Sequence, residues 1–158
     1  GYTEAAIFAS SHAYYATNRR VQAFINSCEQ LGIQIDEQYI LKCPSTRNGG
    51  YGIGKQYASL TEPPKMIFCD SDAIALGALR AFHEKGISVP KDAEMLSIGM
   101  LDPEAASYYI PSLSVVEMPN KEIGQQVIRL LRKKILNNDP TPEHIDLHAK
   151  LILRESFS

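Results

Sequence analysis

The sequence lacks the features that mark several specialised protein classes. Its 158 residues include 16 lysines and arginines against 18 aspartates and glutamates, so there is no excess of positive charge. Because neutralising nucleic-acid phosphates needs clustered lysine and arginine, this balance argues against direct nucleic-acid binding. The clearest apolar run, residues 73–79, is far shorter than the roughly 20 residues that span a bilayer. We therefore expect a globular domain that contacts neither nucleic acid nor membrane.

Cysteine and histidine are too sparse to predict a disulfide framework or a metal site. Cys28, Cys43 and Cys69 are odd in number and form no CxxC pair, which favours free, mostly buried thiols in a reducing cytoplasm. The one histidine pair at a spacing of four, His144 and His148, lies where a strand is predicted, and there that spacing does not place both on one helical face. We expect no metal and no cofactor.

The sequence also lacks the motifs of common enzymes. It has no GxSxG nucleophile elbow and no other pairing of a nucleophile with a base. The glycine-rich segment 49–54 (GGYGIG) does not match GxGxxG and is not followed by a lysine–serine or lysine–threonine pair. A turn over residues 48–50 and a loosely wound helix start explain it better than a phosphate cradle. We expect no enzymatic activity.

Strand-like and helix-like segments alternate along the chain, which predicts an α/β fold. Short apolar runs without polar alternation are typical of a parallel sheet covered by helices on both faces, in three layers. The predicted strands are residues 5–9, 39–43, 66–69, 95–98, 113–117 and 145–153, and the predicted helices are residues 17–31, 51–60, 73–85 and 120–136.

The loops that follow the strands are the predicted place for a ligand. In such sheets ligands bind outside the carboxyl ends of the strands, here residues 10–15, 44–50, 70–72 and 99–102. Arg19 and Arg20 are either a solvated surface pair or include one arginine that reaches into the cleft. Asp70 and Asp72 either cap a helix or accept hydrogen bonds from ligand hydroxyls.

Five motifs in order resemble the LacI/GalR family of bacterial transcription regulators. They are RVQAF (20–24), PKMIFCDSDAIALGAL (64–79), GISVP (86–90), PSLSVVEMP (111–119) and LILRES (151–156). This resemblance implies a fold of the periplasmic-binding-protein type, and it implies a small-molecule effector, a sugar or related metabolite, as ligand.

The resemblance also implies a division of the chain. Residues 1–118 would form the second lobe of an effector-binding core, residues 119–142 a crossover helix belonging to the first lobe, and residues 143–158 the return strand of the second lobe. The opening Gly-Tyr-Thr without an initiator methionine fits a piece of a longer protein. DNA would be bound only through an N-terminal helix-turn-helix outside this chain.

Family motifs assign candidate binding residues. The implied effector-binding set is Arg20, Tyr14, Ser45, Ser71, Asp72 and Asp102. The sequence departs from the family where Leu101 replaces an aspartate, Met118 a glutamine and Ser45 an aromatic residue. These departures remove three polar or aromatic contacts that the family commonly makes to a sugar, and Tyr14 and Tyr15 could supply aromatic surface instead.

The resemblance further implies a homodimer. The implied interface comprises Leu76, Arg80, Tyr108, Tyr109 and Ile110. The alternative is that these aromatic residues cover a sheet edge within one subunit. The helix at 120–136 has an apolar face, and we expect it either to fold back onto its own sheet or, as we prefer, to pack against another chain.

Three functions from different classes remain at this point. The first is the effector-sensing and dimerising part of a LacI-type regulator in the cytoplasm. The second is a periplasmic solute-binding protein of a sugar transporter, which shares the fold. The third is an α/β enzyme, for which no catalytic constellation is visible.

Overall fold

The computed structural model describes residues 1–12, 14–99, 104–137 and 141–157. Strands and helices alternate through most of the chain, as the sequence predicts. In order they are β1 (Ala5–Ser10), α1 (Tyr15–Gln30), β2 (Ile40–Cys43), α2 (Arg47–Tyr57), β3 (Met66–Cys69), α3 (Asp72–Lys85), β4 (Glu94–Gly99), β5 (Ser114–Glu117), α4 (Asn120–Asn137) and β6 (Lys150–Ile152), with short 3-10 helices at Glu37–Tyr39 and Ala105–Ser107.

The strands form one sheet in the order β2-β1-β3-β4-β5-β6. The first five run parallel, which confirms the α/β prediction, but β6 pairs with β5 in the antiparallel direction. The predicted final strand at 145–153 is too long, since only Lys150–Ile152 pairs. The partner strand limits its length. β5 ends at Glu117, which pairs with Lys150, so the residues before Lys150 have no strand residues opposite them.

Helices cover the sheet on both faces and give three layers. On one face Phe8 of β1 meets Tyr57 of α2 and Phe82 of α3, with ring centroids 5.5 and 6.4 Å from the Phe8 ring. On the other face Phe24 of α1 stacks on Phe68 of β3 at 4.4 Å. All six residues of β1 are buried, which explains why its sequence shows no polar alternation.

Helix α2 begins earlier than predicted. Residues 48–50 are helical instead of forming a turn, because Thr46 caps the helix by accepting a hydrogen bond from the Gly49 amide at 3.0 Å. The glycines serve close packing on α3: a Cβ at Gly50 would lie 2.1 Å from the Ile74 carbonyl oxygen, and one at Gly77 1.9 Å from the Arg47 carbonyl oxygen. The glycine-rich segment is therefore a helix contact, not a phosphate cradle.

Helix α3 has the ends that its sequence predicts. The Ser71 hydroxyl accepts a hydrogen bond from the Ala73 amide at 3.2 Å and caps the first turn. Gly86 ends the helix in the left-handed conformation with φ of 73°. These two signals fix where β3 gives way to α3, and so fix the position of the loop between them.

Helix α4 stands away from the rest of the domain. None of its residues is buried, and Leu131 and Ile135 on its apolar face are 51% and 77% exposed. The expectation that it folds back onto its own sheet is wrong, because both faces of the sheet interior are already covered by α1, α2 and α3. Among the described residues, no helix has the length and apolarity that crossing a membrane demands.

Candidate functional site

A cavity of about 300 Å³ lies at the carboxyl edge of the sheet, where β1, β2 and β3 end. These strands are parallel neighbours, so the loops that follow them meet at one place. The cavity is lined by Ser10, Tyr14, Ala16, Thr17, Arg20, Ser45, Asp70 and Ser71. The predicted site residues Arg20, Tyr14, Ser45 and Ser71 are thus brought together.

A larger depression, of about 660 Å³, runs along residues 117–126 where β5 leads into α4. It is formed by one continuous stretch of chain and is wide open to solvent. The smaller cavity instead gathers polar groups from three separate loops, as expected of a site that orients a ligand. We therefore place the candidate site at the smaller cavity.

Of the two adjacent arginines, Arg20 belongs to the cavity. Its Nη1 donates a hydrogen bond to the main-chain oxygen of Asp70 at 3.0 Å, which directs the guanidinium across the start of α1. Arg19 is exposed and lies over the ring of Tyr15 at 5.9 Å. Among the alternatives for this pair, the structure supports an arginine that reaches into the cleft.

Asp70 forms the floor of the cavity and is only 1% exposed. Its Oδ2 accepts a hydrogen bond from the Ser10 amide at 2.9 Å, which ties the ends of β3 and β1 together. Burial raises the pKa of the Asp70 carboxyl, and the Ser10 hydrogen bond and the charge of Arg20 oppose this shift. Its Oδ1 has no hydrogen-bond partner among the described residues.

The carboxyl and hydroxyl groups at the start of α3 have different roles. Ser71 both caps the helix and lines the cavity, so the two interpretations of this position are compatible. Asp72 is buried as the first residue of α3 and is not among the residues that line the cavity. Its place in the predicted binding set stays a prediction, and its first-turn position also agrees with the capping alternative, since the helix dipole favours a carboxylate there.

Aromatic side chains stand at the mouth of the cavity. Tyr14 is 64% exposed and stacks on His12 with ring centroids 5.7 Å apart. The His12 amide donates to the Ser10 hydroxyl at 3.2 Å, which holds this segment over the end of β1. Tyr14 therefore presents aromatic surface at the cavity.

One predicted residue, Asp102, lies outside the described residues, as does Leu101. The binding set implied by the family motifs omitted Ser10, Thr17 and Asp70, which line the cavity, although the sequence pattern had offered Asp70 as an acceptor for ligand hydroxyls. A signal for Thr17 was available: Thr17, Arg20 and Phe24 follow each other at three- and four-residue spacing, so they share one face of α1.

The cysteines of the chain are buried thiols. Burial raises the pKa of Cys43 to about 11, with the nearby Asp70 adding to the shift, so this thiol stays neutral. Cys28, Cys43 and Cys69 are all free and buried. Within the described part of the chain, no three histidine, cysteine or acidic side chains are grouped to hold a metal ion.

Comparison with known proteins identifies the family to which this fold belongs. The sequence profile of the family described as "Periplasmic binding protein-like domain" matches residues 1–157. The HTH-type transcriptional repressor PurR of Escherichia coli O1:K1 is 31% identical over 139 residues, covering 88% of this chain and 40% of the repressor. A LacI family transcription regulator from Clostridium acetobutylicum superposes with a TM-score of 0.92 at 33% identity, covering 97% of this chain and 57% of the regulator.

The chain belongs to the periplasmic binding protein-like domain family, of the LacI/GalR type. A LacI-family regulatory protein from Chloroflexus aggregans gives the same result, with a TM-score of 0.89 at 28% identity over all of this chain and 56% of that protein. The chain thus spans 40–57% of the length of these relatives. Because they are named as regulators, the comparisons do not favour the transporter or enzyme alternatives.

Four of the five predicted dimer residues of this LacI-type domain line a second surface, which α3 and residues 109–110 form. Leu76, Arg80, Tyr109 and Ile110 line a shallow cavity of about 390 Å³ together with Leu79 and His83. Ile110 is 97% exposed and Tyr108 75% exposed, whereas Tyr109 is half-buried against the core. Tyr109 therefore also fits the alternative of covering the sheet edge, while Tyr108 and Ile110 are left uncovered.

Proposed function

We propose that this chain is the effector-binding and dimerising part of a LacI-type transcription regulator. The observation that carries the proposal is the cavity at the sheet edge, where Arg20 of α1 meets Tyr14 and Ser71 from the loops after β1 and β3. Hydrogen-bonding groups and an aromatic ring around one cavity suit a small polar metabolite such as a sugar. Three free, buried thiols fit a reducing compartment such as the cytoplasm.

The effector would act through closure of two lobes. This chain covers 57% of the regulator from Clostridium acetobutylicum, and a first lobe, formed by residues that such longer relatives have, would close over the ligand. A ligand shifts such an equilibrium only by binding one state more tightly than the other. Closure would change the spacing of two DNA-binding headpieces, which lie outside this chain.

Replacing Arg20 by alanine is expected to weaken effector binding about 10- to 150-fold, the equivalent of roughly 1.5–3 kcal/mol for a charge-assisted hydrogen bond. The effector is first found by thermal-shift screening of sugars, nucleosides and phosphosugars, because a ligand of the native state raises the unfolding temperature. Calorimetry then compares Arg20→Ala with Arg19→Ala, whose side chain is outside the cavity. Equal losses in both variants would contradict the assignment.

The second surface is proposed as a homodimer interface. Replacing Ile110 by aspartate is expected to convert dimers to monomers in sedimentation velocity, because it places two charges in an apolar contact across a two-fold axis. Ile110 is suited to the test since it is 97% exposed and contributes little to folding. Leu31→Asp is the control, as Leu31, the residue that follows α1, is 75% exposed. If the Ile110→Asp variant still sediments as a dimer, the dimer interface lies on another surface.

Helix α4 is proposed to belong to the first lobe, with residues 1–118 and 143–158 forming the second lobe. In this chain alone, the amides of α4 are expected to exchange hydrogen quickly, because no residue of the helix is buried. In a longer protein that includes the first lobe, hydrogen exchange of these amides should slow by at least tenfold. A tenfold change corresponds to about 1.4 kcal/mol of free energy, which packing of the apolar face would supply. The amides of β3 provide an internal reference that is protected in both. Equal hydrogen-exchange rates for the α4 amides in both proteins would contradict the assignment of α4 to the first lobe.

A further inference from the structure

The floor of the cavity contains a carboxylate oxygen that the fold does not satisfy. Asp70 is 1% exposed and lines the cavity, but only Oδ2 has a partner, the Ser10 amide. Oδ1 is buried and has no hydrogen-bond partner among the described residues. Buried polar atoms are nearly always paired, so one that is not requires an explanation. At a cavity floor, the explanation that fits is a ligand group.

The surroundings of Asp70 show which kind of group is needed. Burial disfavours the ionised carboxyl, and its neighbours on β2 and β3 are the thiols of Cys43 and Cys69, which are neutral. The cation that faces it is Arg20, on α1, and the guanidinium is directed at the main-chain oxygen of Asp70. The carboxylate therefore gains most from a donor that brings positive charge, and less from a neutral hydroxyl.

We propose that Asp70 is a specificity-determining residue of this cleft, and that its Oδ1 accepts a hydrogen bond from an amino group of the ligand. This inference rests on the proposed function and narrows its ligand class. Arg20 lies beside Asp70 and offers donors to an acceptor atom, so the matching ligand carries an amino group next to a carbonyl, carboxylate or hydroxyl oxygen. Because Oδ1 is closed from solvent, the amino group reaches it only when a side chain of the cavity wall moves aside.

The test uses the smallest probe that carries this chemistry. Thermal unfolding of the complete 158-residue chain is measured in methylammonium chloride and in an equal concentration of tetramethylammonium chloride. Both are monovalent cations, but only methylammonium donates N–H hydrogen bonds. We expect the midpoint to be about 2–4 °C higher in methylammonium once the probe exceeds its dissociation constant several-fold.

Two variants assign the effect to one carboxyl group. Asp70→Asn keeps the shape and an acceptor for the Ser10 amide but removes the charge, and it is expected to abolish the difference between the two salts. Asp36→Asn, at an exposed aspartate outside the cavity, should retain it. Should Asp70→Asn fail to fold, acidification of the unmodified chain replaces it, because protonating the carboxyl must also abolish the difference.

The outcomes separate this inference from the proposed function. A difference that persists in Asp70→Asn, or that is absent from the unmodified chain, overturns the inference. An effector from the ligand screen that depends on Arg20 but binds Asp70→Asn equally well also overturns it, while supporting the proposed function. A difference that disappears in Asp70→Asn supports the role of Asp70, and failure of every screened metabolite would then count against the proposed function alone.

Discussion

Replacing Gly50 by alanine is expected to destabilise the domain by about 3 kcal/mol, the upper part of the range for overpacking a core. The added Cβ would lie 2.1 Å from the carbonyl oxygen of Ile74 and 2.7 Å from its carbonyl carbon. These atoms belong to the backbone of α3, so relief requires the two helices to separate, which opens the layer that holds Phe8 and Phe82. For a domain of this length the unfolding midpoint should fall by roughly 6–12 °C.

Gly52 provides the matched control in the same helix. A Cβ at Gly52 would have nothing within 4 Å, and the residue is exposed. Alanine there removes only the entropic cost of helical glycine, so Gly52→Ala should stabilise by about 0.5–1 kcal/mol. Thermal denaturation of both variants is the measurement. Shifts of the unfolding midpoint in the same direction and of similar size in both variants would contradict the claim that Gly50 is needed for the close packing of α2 on α3.

The helices α2 and α3 show which features of the fold can be predicted from local sequence and which cannot. The unit from β3 to α3 was predicted nearly residue for residue, because an apolar run, a serine cap and a terminal glycine are local signals. The start of α2 was not, because glycine has poor helix propensity, and only the contact of Gly50 with α3 explains its place in a helix. The length of β6 and the exposure of α4 likewise depend on partners that no local pattern reveals.

The candidate site divides in the same way. That a site would lie at the carboxyl ends of the strands followed from the α/β pattern, and the cavity is there. Which of Arg19 and Arg20 enters it depends on the rotation of α1 about its axis, which Phe24 sets by stacking on Phe68. Asp70 lines the cavity and Asp72 does not. The difference arises because α3 begins at Asp72, so that Asp72 belongs to the helix while Asp70 lies in the loop before it.

The closing LILRES motif has a structural role that can be measured. Ser156 is fully buried, its hydroxyl donates to the Met95 carbonyl at 2.7 Å and accepts from the Ser114 amide at 2.8 Å. It therefore joins β4 to β5 with the end of the chain. Its own amide donates to the Ser112 carbonyl, and the Glu155 carboxylate accepts from the Ser112 amide at 2.7 Å, which lowers the pKa of Glu155.

Ser156→Ala should accordingly destabilise the domain by about 2–6 kcal/mol, because it leaves one buried donor and one buried acceptor unpaired at about 1–3 kcal/mol each. The substitution removes a single oxygen atom, so the space that it leaves adds little to the loss. Ser59→Ala is the control: its hydroxyl also donates to a main-chain carbonyl, of Gln56 at 2.7 Å, but on the exposed surface, where water replaces the bond and the change stays within about 0.5 kcal/mol. Urea unfolding of the two variants gives the comparison. A loss for Ser156→Ala no larger than for Ser59→Ala would mean that the end of the chain is held by Arg154 and Glu155, through their bonds to Leu113 and Ser112, and not by the buried hydroxyl.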